Sequence, residues 1–114
     1  MKALNYRAAG AGGRFFPWLN ALRNQSGAYV IRDAGSRQVL YVGESHTGRL
    51  GKTIKRHFHA WRDDPERRHR TYNRERVEIG IRLTPPGTAS AAQVNLIRRL
   101  DPRDNGFRPA EEPF

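Results

Sequence analysis

Gly27-Ala28-Tyr29-Val30-Ile31 and Val39-Leu40-Tyr41-Val42-Gly43 are two β-prone runs, each holding one tyrosine and one glycine. Between them Asp33-Ala34-Gly35-Ser36-Arg37 has turn chemistry: Asp to bond its own backbone, Gly for positive φ. A hairpin centred on Gly35 sets Tyr29 directly opposite Tyr41 on one face of a sheet. A slip of one residue would send the rings to opposite faces. Such a pair either stabilises the hairpin or forms one wall of a site, and the hairpin by itself fits both.

Outward from the hairpin, Phe15 to Arg23 reads as a short amphipathic helix with Phe15, Trp18, Leu19 and Leu22 on one stripe. Arg49 to Trp61 has strong helical periodicity, with Leu50, Ile54, Phe58 and Trp61 forming its apolar stripe. Residues 62–73 form a charged, unpatterned loop. Val77, Ile79, Ile81 and Leu83 alternate with polar or small residues as a half-exposed strand. Thr84-Pro85-Pro86-Gly87 ends it, and a last helix runs from Thr88 or Ser90 to Leu100, stopping before Pro102. The order α-β-β-α-β-α implies an α+β domain with a three-stranded antiparallel sheet flanked by helices. Residues 1–13 read as a flexible leader, 14–105 as the domain and 106–114 as a C-terminal tail.

A chain of 114 residues supports one modest core. It contains no cysteine, which excludes disulfides and thiolate metal sites and suits a reducing, cytoplasmic setting. No apolar run is long enough for a signal peptide or a membrane span. The net charge of +10 points to a polyanionic partner. Only Lys2, Lys52 and Lys55 are lysines; the other basic residues are arginines, whose forks suit phosphate. Nucleic acid ranks ahead of membrane because no basic amphipathic anchor helix stands out. Oligomeric state is not legible.

Arg49, Thr53, Arg56 and His57 share a flank of the second helix, beside its apolar stripe, whereas Lys52, Lys55 and His59 point away. Gln93 falls within the apolar face of the last helix, with Ala89, Leu96, Ile97 and Leu100. A buried amide without partners costs about 1–3 kcal/mol, so Gln93 has either a specific polar neighbour or a capping-box bond to the Ser90 amide. The four histidines lack metal-site spacing, Gly43 to Gly48 lacks the ending of a phosphate-binding loop, and no nucleophilic Ser or Cys arrangement is present. Arg67, Arg68, Arg70 and Arg74 surround Tyr72; the arginines suit phosphates, and Tyr72 or Trp61 could stack on an unpaired base.

Taken together, the motifs resemble the GIY-YIG nuclease family. Gly27-Ala28-Tyr29 stands for the first motif, Tyr41-Val42-Gly43 for the second, and Arg49 to Trp61 for the family's basic helix. Gln93-Val94-Asn95-Leu96-Ile97, then Leu100, Pro102 and Asn105, matches its Glu-x-x-Leu-Ile … Leu-x-Pro-x-x-Asn signature. The resemblance spans residues 26–105. It implies a DNA endonuclease that hydrolyses phosphodiesters with one divalent ion, Mg²⁺ or Mn²⁺. Tyr29 or Tyr41 would orient or deprotonate the attacking water, His57 would be a further catalytic candidate on the helix flank, and a helix arginine would offset transition-state charge. Asn105 would tie down the C-terminal loop. Two departures matter. Thr53 stands at the usual arginine position, leaving Arg49, favoured because it sits at the helix start close to the hairpin, or else Arg56 to supply the guanidinium. Gln93 stands where the metal-binding glutamate belongs, and an amide is a poor ligand for a hard cation. The chain therefore reads as an inactivated nuclease or, alternatively, as a non-catalytic nucleic-acid-binding module on the same scaffold.

Overall fold

The structure, a computed structural model, describes residues 4–58 and 72–105. In chain order the elements are β1 (Tyr6–Ala8), β2 (Gly10–Ala11), β3 (Arg14–Phe15), a 3-10 helix (Pro17–Leu22), β4 (Gly27–Asp33), β5 (Val39–Ser45), α1 (Leu50–Arg56), β6 (Val77–Leu83), a 3-10 turn (Pro86–Thr88) and α2 (Ala89–Leu100). The result is a mixed α+β fold.

The sheet has four antiparallel strands in the order β1-β6-β4-β5, where the sequence pattern implies three. The extra edge strand, β1, comes from the stretch read as a flexible leader. Leu4-Asn5-Tyr6-Arg7-Ala8 alternates apolar and polar residues, a signal too short to mark a strand by itself, and Tyr6, Arg7 and Ala8 pair with Gly80, Ile79 and Glu78. Arg32 stacks 3.5 Å over the Tyr6 ring and also pairs with Glu78. Gly12 and Gly13, both at positive φ, fold β2 back onto β3 and remove Phe15 from the expected helix. Pro17–Leu22 is then a 3-10 segment rather than an α-helix, with Leu19 and Leu22 buried as its apolar pattern implies.

Alternation along the strands divides the core in two. Tyr29, Ile31, Tyr41, Val77 and Ile79 face Leu19, Leu22, Leu50, Ile54 and Phe58 of the 3-10 helix and the α1 region. Ala28, Val30 and Val42 face Leu96, Ala92, Ile97 and Leu100 of α2. Gly27 opens β4 against the β6 backbone, where an added Cβ would lie 2.9 Å from the Leu83 Cα and overlap the Arg82 carbonyl. After α2, Arg103 N–H and Asp104 N–H donate to the Val39 and Leu40 carbonyls, covering the β5 edge. No described helix is long and apolar enough to cross a membrane.

The hairpin register differs from the one centred on Gly35. Tyr29 pairs with Gly43, and Tyr41 with Ile31. Positive φ falls on Arg37 rather than Gly35, and Asp33 closes the loop by accepting the Ser36 N–H at 2.7 Å. That bond holds the Asp33 carboxyl below its usual pKa. The centre moves by one residue and the pairing by two, so both tyrosines keep the same face.

Candidate active site

Tyr29 and Tyr41 sit diagonally, with ring centroids 6.3 Å apart. The Tyr29 hydroxyl meets His57 Nε2 at 2.6 Å, and the Tyr41 ring lies 4.6 Å from the imidazole. Tyr29 is 1% exposed and His57 2%, so this is a buried dyad rather than an open aromatic wall. Gly43 makes room for it: a Cβ there would sit 2.8 Å from Tyr29 Cε1 and closer still to the hydroxyl end. Gly43→Ala is therefore expected to destabilise the fold by about 1–3 kcal/mol, the usual range for overpacking. Urea unfolding would read this as a lower midpoint at unchanged slope.

The α1 flank behaves as its spacing implies for two of four residues. Thr53 and His57 are buried against the sheet, whereas Arg49 and Arg56 are exposed. Arg49 is the N-cap residue, and its backbone N–H donates to the Ser45 hydroxyl at 3.3 Å. Arg56, the last helical residue, immediately precedes His57. Arg49 lies about 12 Å further along the axis at 1.5 Å per residue. The α-helical turns end at Arg56; Trp61 and His59 lie outside the described residues.

Gln93 and Asn105 converge on the backbone of Val42, next to Gly43. Asn105 accepts the Val42 N–H and donates to the Val42 carbonyl, both at 2.8 Å, acting as one more strand residue at the β5 edge. Buried Gln93 Nε2 donates to the same carbonyl at 3.5 Å. The capping-box alternative fails, because α2 starts at Ala89 with Thr88 as N-cap and no side-chain cap bond.

This donor set does not fit a hard divalent cation. The amide NH₂ of Gln93 is turned to a carbonyl, and no group of three His, Cys, Asp or Glu residues capable of holding a metal exists among the described residues. Asp104 is the buried acid among them, and it is engaged elsewhere. The Tyr72 hydroxyl donates to Asp104 Oδ2 at 2.6 Å, and the Arg103 guanidinium forks onto both Asp104 oxygens at 2.8 and 3.0 Å. Burial first, then the Asp104 carboxylate, pushes the Tyr72 phenol well above its usual pKa. The same carboxylate raises the Arg103 guanidinium.

Tyr72 therefore cannot stack on a base in this conformation: it is buried, 6.0 Å from His57 between ring centroids, and its N–H donates to the His57 carbonyl. Arg74 lies 4.5 Å over the Phe15 ring. Arg67, Arg68 and Arg70 lie outside the described residues. Sequence reasoning missed the Tyr72–Asp104 pair. The short Asp-Pro-Arg-Asp-Asn run after α2 was its one visible signal, an acid placed just before Asn105.

No protein-family model matches the chain, and no curated protein matches it in sequence.

Proposed function

We propose that this domain is a DNA-directed phosphodiester hydrolase of the GIY-YIG type whose metal position holds an amide, so that the present chain binds nucleic acid and cuts poorly. The observation that carries the reading is the buried 2.6 Å contact between the Tyr29 hydroxyl and His57 Nε2. With Nε2 accepting, the hydroxyl donates to His57, and this reading makes the Tyr29 oxygen the first acceptor of a proton from the attacking water. A proton leaving the water would then have a two-step route, to the Tyr29 oxygen and on to His57. Arg49 and Arg56 are both exposed on the α1 region, and this reading assigns one of them to offset negative charge in the transition state.

The second reading is a non-catalytic binding module, and the Gln93 amide favours it. Gln93→Glu separates the two. A carboxylate at this point faces the Val42 carbonyl with no hydrogen between them, a repulsion that a cation relieves. The nuclease reading expects Mg²⁺ or Mn²⁺ to raise the melting temperature of the Glu form but not of the Gln form. It also expects the Glu form to cut single-stranded, duplex or branched DNA. A Glu form that leaves all three intact, with an unmoved melting temperature, leaves only the binding module.

A further inference from the structure

The 3-10 helix and α1 enclose an open cleft of about 620 Å³ whose lining includes none of Tyr29, Tyr41 and His57. Its origin is local. Gly51 lets the two helices approach, since a Cβ there would lie 3.1 Å from the Leu19 carbonyl oxygen, and Lys55 Nζ bridges to Asn20 Oδ1 at 3.3 Å. Arg23, Arg49, Lys52 and Lys55 line it, with no acid in the lining. Among the described residues none of these four has an acidic partner. Arg49, Lys52 and Lys55 recur every three residues, about 4.5 Å apart along the axis, a ladder that long side chains can match to successive phosphates. A second cleft, on the α2 face, is also arginine-lined, but its Arg32 is neutralised by Glu78.

We propose that this cleft holds the sugar–phosphate backbone of one nucleic-acid strand. The proposal rests on the nucleic-acid reading above and adds the path of the strand. The volume falls within the range of about 300–1,000 Å³ typical of small-molecule pockets, room for a short stretch of one backbone rather than a duplex. No aromatic side chain lines the cleft, so contact is through phosphates and is blind to base identity. Arg49 thereby becomes a strand-holding residue, leaving Arg56 to offset charge in the transition state.

The test is fluorescence anisotropy with a short fluorescein-labelled oligothymidine and its uncharged methylphosphonate analogue. The triple variant Arg23→Glu/Lys52→Glu/Lys55→Glu is expected to bind the charged strand on the order of 100-fold more weakly. Its log–log salt slope should fall by about 2, for three lost phosphate contacts at about 0.7 each. Exposed Lys52→Glu alone should weaken binding several-fold, whereas the same charge change at exposed Arg98 on α2 should alter it less than about twofold. The methylphosphonate strand should bind neither chain. If the unmodified chain binds no oligonucleotide, this proposal and the functional reading both fall. If it binds and the triple variant matches it, or Arg98→Glu is as damaging as Lys52→Glu, the cleft assignment alone is overturned.

Discussion

Adding Tyr29→Phe to a cleaving Gln93→Glu chain is expected to slow DNA cleavage about 100- to 10,000-fold, the usual range for losing a positioned acid–base group. The ring of Tyr29 packs in the core over Gly43 and beside Tyr41, and phenylalanine keeps that packing. What it removes is the hydroxyl, and with it the 2.6 Å contact to His57. DNA affinity should stay within about twofold, because the proposed phosphate contacts are made by exposed cations and not by this buried hydroxyl. His57→Gln in the same background should produce a comparable loss. A purely structural role for the dyad gives a different pattern: a lower melting temperature with the cleavage rate preserved. That pattern would rule out the proton route.

The two sides of the dyad were legible from two periodicities, but the hydrogen bond that joins Tyr29 to His57 was not. Period two puts Tyr29 and Tyr41 on one face, and helical spacing puts Thr53 and His57 on the flank that meets it. The register was less legible, since Gly35 is the obvious turn residue and yet Arg37 carries the positive φ. The error was harmless to the site because a pairing shift of two preserves faces. Gln93 announced itself as a polar residue on an apolar stripe, but its partner, a carbonyl on a strand edge, has no sequence signature. β1 was illegible for a related reason. Its placement depends on Arg32 lying between the Tyr6 ring and Glu78, a contact between segments far apart in the chain.

The Tyr72–Asp104 pair should be visible in alkaline unfolding. Folding raises the Tyr72 pKa above its ordinary value, by burial and by the adjacent carboxylate. Below pH 10 the phenol is protonated in both states, and its contribution to stability is constant. Above pH 10 the unfolded phenol loses its proton while the folded one keeps it. The unfolded state then binds fewer protons, and stability falls by about 1.4 kcal/mol per pH unit. Between pH 10 and 12 that amounts to about 2 kcal/mol from this one side chain. Tyr72→Phe removes the slope. It also removes the hydrogen bond to Asp104, at a cost of about 1–3 kcal/mol near neutrality, although Arg103 still pairs that acid. The two urea-stability curves should therefore lie apart at pH 7 and converge or cross before pH 12. Tyr6, whose pKa burial also raises, is common to both chains, so the difference curve reports Tyr72 together with its coupling to Tyr41. Parallel curves across this window would mean that the Tyr72 hydroxyl titrates in the folded chain as it does in water, with Asp104 doing no more than filling space beside it.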